Sequence, residues 1–417
     1  MTSVLIGRGT IRVRTLCIAL IAVLGGLAVL LPAASEAKKK SGKAKVTVMT
    51  RNVYLGADLS PALAADNLPA AVDGAGDIYK EILRTNFPER AKPLAQEILK
   101  AKPALVGLQE VAHWRVDDPS DGGAPPISPF GELATETEFD FLAELMKYLG
   151  KKYKVVTVQE EFEGELPADT DGSDATGSGP LGAGVFGADI DVRLTMQDVI
   201  LDRKGDNVKA KKKSVKQQQY SDENLYKANV GGIEVTAARG WQSVQAKYKK
   251  KKGKGKKKRV TKTGFRFVNT HLEAFGDPAE AKFKQGEELT QQKGALNTKK
   301  PVILVGDLNS GLAKPHEIGD SAISGTDDDQ LAFKVIKKSG MRDYGAVQSC
   351  CYPSALDDPS FIFDHTVDHV LANKKAKVKK HRAYVTGDNP AKMTPSGLWP
   401  SDHGGVVSKL TLKAKKK

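Results

Sequence analysis

The chain has 417 residues, a formal net charge of +14 and only three cysteines, Cys17, Cys350 and Cys351. So few cysteines exclude a fold held by a disulfide framework. The charge is also unevenly spread. Residues 38–45 (+5), 247–259 (+10), 374–382 (+6) and 413–417 (+4) hold +25, while residues 38–417 as a whole carry +12, so the rest of that stretch sums to −13. This describes an acidic body with basic tails and loops and excludes a uniformly basic nucleic-acid binder.

Residues 1–37 have the layout of a secretory signal. Arg8, Arg12 and Arg14 form a basic leader, an apolar run extends from Leu16 to Leu31, and Ser35-Glu36-Ala37 offers small residues at the −3 and −1 positions of a cleavage site. A retained anchor is the alternative, because the run is almost long enough to span a bilayer. Cleavage leaves about 380 residues, enough for one large α/β domain or two small ones. Cys350 and Cys351 are then either two free thiols or a strained vicinal pair.

In chain order, short apolar runs predict buried strands at Val46–Met49, Ala104–Leu108, Tyr153–Val158, Val199–Leu201, Phe265–Asn269, Val302–Val305 and Val367–Leu371. Helical spacing predicts helices over 87–101, ending before Pro103, and over 278–293, between Pro278 and Gly294. Strands and helices mixed along the whole length imply a single layered α/β domain over 46–412, with basic tails at 38–45 and 413–417. Residues 160–180, 319–330 and the lysine tract 249–258 read as loops. Asp169, Asp171 and Asp174 around Gly172 fall short of a calcium-loop pattern and read as a solvated acidic loop.

Polar, titratable residues recur where these strands end. Asn52 follows the first strand, and Gln109-Glu110 the second. Asn269-Thr270-His271-Leu272 and Gly306-Asp307-Leu308-Asn309-Ser310 close two later ones. Asp368-His369 lies in a strand, and Ser401-Asp402-His403 precedes Val406-Val407. Each motif alone is common; together they describe a cleft at the edge of stacked sheets. In this order they resemble the endonuclease/exonuclease/phosphatase superfamily, with Arg239-Gly240-Trp241 and Arg193-Leu194-Thr195 similar to secreted bacterial members. The resemblance implies a four-layer α/β/β/α sandwich, two packed and mostly antiparallel sheets with helices outside.

It also implies a metal-dependent phosphoesterase. Hydrolysis requires neutralised phosphate charge, an aligned water and a stabilised leaving oxygen. Magnesium, or manganese or calcium in its place, suits Glu110 with Asn52 and Asp402 beside it. Asp307 would orient or deprotonate the water, held by Asn309. His403, paired with Asp368, and His271 would act at the phosphate, with Arg239 or Arg193 as a bidentate clamp. No carboxylate partner for His271 is evident beyond Asp198, and an insertion at 56–87 sets the loops apart from better-known relatives. The first substrate expectation is a nucleic acid, followed by a phospholipid and by an inositol or sugar phosphate. A silent, monomeric surface protein binding polyanions is the non-enzymatic alternative. The lysine tract should turn between antiparallel strands roughly 20 Å from the metal, beyond the screening length of about 8 Å. That placement suits contact with an anionic wall polymer or membrane outside the cell.

Overall fold

A computed structural model describes residues 41–123, 132–172, 187–253, 259–277, 280–311 and 330–416. All belong to one compact unit, Lys40–Lys417. The secretory leader, residues 38–40, 173–180, 254–258 and 319–329, and residue 417 lie outside the described residues.

The chain enters through β1 (Ser41–Asn52), α1 (Ser60–Leu63), α2 (Leu68–Thr85) and α3 (Phe87–Ala101). There follow β2 (Leu105–Asp117), β3 (Glu136–Asp140), α4 (Phe141–Leu149), β4 (Tyr153–Ala168) and β5 (Ile190–Arg203). Next come β6 (Val208–Ala210), β7 (Lys216–Gln219), β8 (Tyr226–Val230), β9 (Ile233–Ala237), β10 (Gly240–Lys252) and β11 (Arg259–His271). The last elements are α5 (Ala281–Thr290), β12 (Val302–Asp307), α6 (Leu331–Lys338), β13 (Met341–Asp343), β14 (Asp368–Asn373), β15 (Val378–Thr386) and β16 (Gly405–Lys416).

Fourteen strands form one hydrogen-bonded ladder that folds back on itself. One half runs β15-β16-β1-β2-β5-β4, the other β13-β14-β12-β11-β10, and β8–β9 is a separate hairpin. The halves are joined only where Thr261 and Lys262 pair with Lys416 and Lys415. Pairing is antiparallel except for β1–β2 and β11–β12. Between the halves lies a core drawn from both, including Val46, Leu105, Ile200, Phe267, Ile303 and Val370. The outer face of the first half packs on α2, α3 and α4 through Ile82, Leu94, Ile98 and Leu145. The second packs on α5 and α6 through Leu289 and Ile336 against Val268 and Leu304. The four-layer sandwich is therefore the observed fold, and β12, covered on both faces, is buried at all six positions.

The expected strands fall within observed ones to within a residue, and the helix expected at 87–101 spans Phe87–Ala101. The other helix is shorter, Ala281–Thr290. Three expectations are corrected. Residues 160–168 are strand, because β4 continues beside β5 to the pair Ala168–Ile190. Residues 41–45 and 413–416 are not tails but the outer ends of β1 and β16, in register from Ser41–Lys415 inward. Alternation explains this: Ala44, Leu412 and Ala414 point into the inter-sheet core while Lys43, Lys45 and Lys413 point out to solvent. Finally, Asp169 is no calcium ligand; its Oδ1 accepts from the backbone N–H groups of Asp171 and Gly172, closing its own turn.

Candidate active site

The ends of β1, β11 and β12 and the approaches to β14 and β16 converge on one edge of the sandwich, where a cleft of about 390 Å³ opens. Glu110, Asp307, Asn309, Arg239, Asp402 and His403 line it. Glu110 reaches the cleft through a β-bulge, since the β2–β5 register slips between Leu108 and Val111. Its φ of 56° is left-handed, the re-aiming device expected next to a functional site. Asn309 (φ 45°) and Tyr54 (φ 60°) are in the same region.

Asn52 is the hub. Its Nδ2 donates to Glu110 Oε1 (2.7 Å) and Asp307 Oδ2 (3.1 Å), and its Oδ1 accepts from Tyr54 N (2.9 Å). Expected as a metal ligand, it instead spaces two carboxylates, because both ends of its amide are engaged. Glu110 Oε2 accepts from Leu55 N (2.9 Å), and Asp307 Oδ1 from Asn309 N (2.8 Å). Burial pushes the Asp307 carboxyl above the usual range, against the pull of His403 and with the help of Asp368.

The two imidazoles differ in charge. His403 Nδ1 donates to Asp368 Oδ2 (2.9 Å), which also accepts from Ser349 Oγ (2.8 Å), and its Nε2 lies 3.6 Å from Asp307 Oδ2. Burial opposes ionisation, but Asp368, Asp402 and Asp307 together raise its pKa well above the ordinary value, so the ring is a cation at neutral pH. His271 has the opposite setting. Burial, then Arg239, then His403 lower its pKa well below the ordinary value. Arg239 Nη1 donates to His271 Nδ1 (3.1 Å). A neutral ring that accepts at Nδ1 carries its proton on Nε2, which lies 3.6 Å from Asp307 Oδ2 and 3.9 Å from Glu110 Oε1. The unplaced partner of His271 is thus an arginine, and Asp198 instead accepts from Asn269 Nδ2 (3.4 Å).

The two clamp candidates separate. Arg239 is at the cleft, but its fork already holds Glu273 (3.3 and 3.4 Å), so it positions His271 more than it grips a ligand. Arg193 is not brought in: it pairs with Glu163 and donates to Ala134 O. Trp399, singled out beside Asp402, is buried and stacked on Tyr352.

Several contributors carried no signal that was read. Glu273 stands two residues after His271, where a strand-end carboxylate invites notice. Arg90 is buried and donates to the carbonyls of Thr85, Val53, Pro400 and Tyr54, tying the segment after Asn52 to the one before Asp402. Cys350 and Cys351 form a disulfide, with Cys350 Sγ 3.5 Å from His403 Nε2. Behind the site, Gln109 Nε2 donates across the two half-sheets to Asn269 Oδ1 (2.6 Å). Deeper still, the Glu161 carboxyl has no hydrogen-bond partner, and burial with Asp198 nearby raises it well above the usual range against Arg239.

A divalent cation fits this donor set. Asp402 is held up to about 7 by burial, and by Glu110 and Asp307 against His403 and Arg90. Crowded carboxylate oxygens are the ligands hard cations take. Asp307, Asp368 and His403 also approach one another closely. That ring, however, is cationic and spends Nδ1 on Asp368, so Glu110 and Asp402 are the residues to hold a metal.

A sandwich with this edge constellation defines a phosphoesterase class. The profile of the Endonuclease/Exonuclease/phosphatase family matches residues 78–403, and the chain belongs to that family. Its members are hydrolases of phosphate esters that depend on a divalent metal, and this chain is such a hydrolase. No curated protein matches. Among solved structures, an endonuclease/exonuclease/phosphatase family protein from Bacteroides thetaiotaomicron is 16% identical, with TM-score 0.45, covering 89% of this chain and 99% of that one. A mannosyl-6-phosphatase of Bacteroides thetaiotaomicron is 15% identical (TM-score 0.41; 88% and 99% covered). Truncated Caenorhabditis elegans TDP2 is 15% identical (TM-score 0.41; 88% and 97%).

Proposed function

We propose that the protein is a secreted, magnesium- or manganese-dependent phosphodiesterase that hydrolyses its substrate by in-line attack of water. The observation that carries this reading is Asp307 Oδ2, fixed by Asn52 and 3.6 Å from each of two imidazoles of opposite charge state. A buried carboxylate of raised pKa is suited to accept the proton of an attacking water. His403, kept cationic by Asp368, faces the phosphate oxygens or the leaving oxygen, and His271 offers a neutral Nε2–H donor. A metal held by Glu110 and Asp402 would neutralise phosphate charge.

The sequence favoured nucleic acid as substrate. A lipid phosphodiester gains support from the cleft wall. Leu59, Leu63, Phe162 and Val235 line both the cleft and an adjoining apolar cavity of about 540 Å³. The same edge has a loop with Phe361 and Ile362 exposed, after the cleft-lining Ser354.

The test is turnover of DNA, RNA, sphingomyelin and a small phosphodiester with magnesium or manganese. EDTA should abolish turnover and added metal restore it. Full activity after exhaustive chelation would overturn the metal dependence, and inactivity on the whole panel the phosphodiesterase reading.

A further inference from the structure

The four basic segments are far apart in sequence, yet the topology brings them to one place. β1 and β11 begin, and β10 and β16 end, at the edge opposite the cleft, and β15 begins there too. Residues 41–45, 249–252, 259–262, 377–382 and 409–416 therefore share one pole of the sandwich. Lys43 lies nine strand steps from Asn52, roughly 30 Å at about 3.3 Å per residue. Lys252 and Arg259 lie twelve steps from the Gly240–His271 pair, roughly 40 Å away. That doubles the separation expected for the lysine tract and leaves several screening lengths of about 8 Å between pole and cleft.

The register makes the pole costly. Lys43 stands directly opposite Lys413, Arg382 opposite Lys409, Lys249 opposite Lys262, Lys262 opposite Lys415, and Lys252 opposite Arg259. Directly opposed side chains share a face, and like charges there are destabilising. Most are exposed, and neither Lys43, Lys45, Lys379, Lys380, Lys413 nor Lys415 has an ion pair among the described residues. A sequence that breaks a local rule repeatedly in one place marks a functional surface.

We propose that this pole is a docking site for a linear polyphosphodiester, separate from the catalytic cleft. The charge is overwhelmingly lysine, compact and without the bidentate fork that reads a particular phosphate geometry, so it suits a repeating, sequence-independent chain of phosphates. None of the large exposed hydrophobics (Leu83, Leu133, Tyr148, Leu331, Phe361, Ile362) belongs to it, so it lacks the apolar residues that seat a protein in a bilayer. Nucleic acid and a polyol-phosphate wall polymer share the chemistry recognised. Bound there, the protein would face its cleft away from the polymer.

The experiment replaces Lys43, Lys45, Lys379, Lys380, Lys413 and Lys415 by glutamine. A control variant carries the same change at helix-borne Lys80, Lys92, Lys147, Lys284, Lys293 and Lys334. Binding of labelled 30-base-pair DNA and of polyglycerol phosphate is measured against salt in EDTA, which keeps the outcome independent of catalysis. The pole variant should bind at least one of the two polymers tenfold or more weakly, and its log–log salt slope should flatten by about 3 at about 0.9 per phosphate contact. The control should change less than twofold. Which polymer responds identifies the source. At low salt the polymer should raise the melting temperature of the native protein but not of the pole variant, since ligands stabilise the state they bind. Equal losses in both variants, no binding of either polymer, or binding confined to phosphatidylglycerol vesicles would overturn the proposal.

Discussion

Asp307 and His403 have the same neighbours but opposite tasks, and each can be removed with little change of shape. Asp307→Asn keeps a partner for Asn309 N while losing the charge, and His403→Ala leaves Asp368 with Ser349. Each should cost on the order of 10²-fold or more in turnover, the scale of acid–base and electrostatic groups, with the circular dichroism spectrum unchanged. Near-normal turnover in either variant means that residue has been misassigned. Glu161 offers a different measurement. Its folded pKa lies above the unfolded value, so the folded state binds the proton more tightly. Stability should then fall as pH rises from about 4.3 toward the folded pKa and stay low above it. Glu161→Gln removes that dependence, so its melting temperature should gain on the native protein between pH 4 and pH 8. Parallel curves for the two proteins would show that Glu161 does not titrate as argued.

At the scale of elements, legibility followed burial. β12 and β14 are covered on both faces and wrote uninterrupted apolar runs into the sequence. α2 left a faint trace. Its apolar positions Val72, Ala75, Ile78 and Ile82 are interspersed with Gly74 and Gly76, which lie where a side chain would strike Pro61 and Asp169. Close approach thus replaced the hydrophobic stripe that would have announced a helix. Glu110 and His271 were legible because strand ends carried them. Glu273 and Arg239 act through each other across 34 residues, and their pairing is set by tertiary contact alone. Arg90, on α3, is the plainest case of an element serving a site it does not enter. Burial lowers its pKa to about 10, leaving it charged at neutral pH. Arg90→Leu would strand four buried carbonyls, at a cost on the order of 3 kcal/mol or more. Turnover should fall about tenfold as the segments bearing Asn52 and Asp402 lose register. Arg90→Lys should not rescue it, lacking the planar fork. Native-like stability and turnover in either variant would remove the clamp from the account.

For the whole molecule, catalysis and the basic hairpin should be separable. The β10–β11 turn lies at the far pole, so deleting residues 249–258 should alter turnover of a small soluble phosphodiester less than about twofold, well under one kcal/mol. Retention on anionic polymer should weaken, with a shallower salt dependence. A tenfold loss of turnover by a deletion variant still folded by circular dichroism would place the tract at the active site.

The junction of the two half-sheets has a mechanical consequence. Backbone hydrogen bonds join them only at Thr261–Lys262 with Lys415–Lys416, while the reacting groups sit at the opposite, unlaced end. There the gap is bridged by side-chain rungs: Gln109 to Asn269, Asn52 to Asp307, and His403 to Asp368. Each rung has one foot on either half, so the spacing between metal-holding and water-activating carboxylates is a gauge set by side chains. Sheet hydrogen bonding does not fix it. Shortening a rung, or thinning the core between the halves at Phe267 or Ile303, alters that gauge without touching a reacting atom. In this fold, the distance on which chemistry depends is kept by packing.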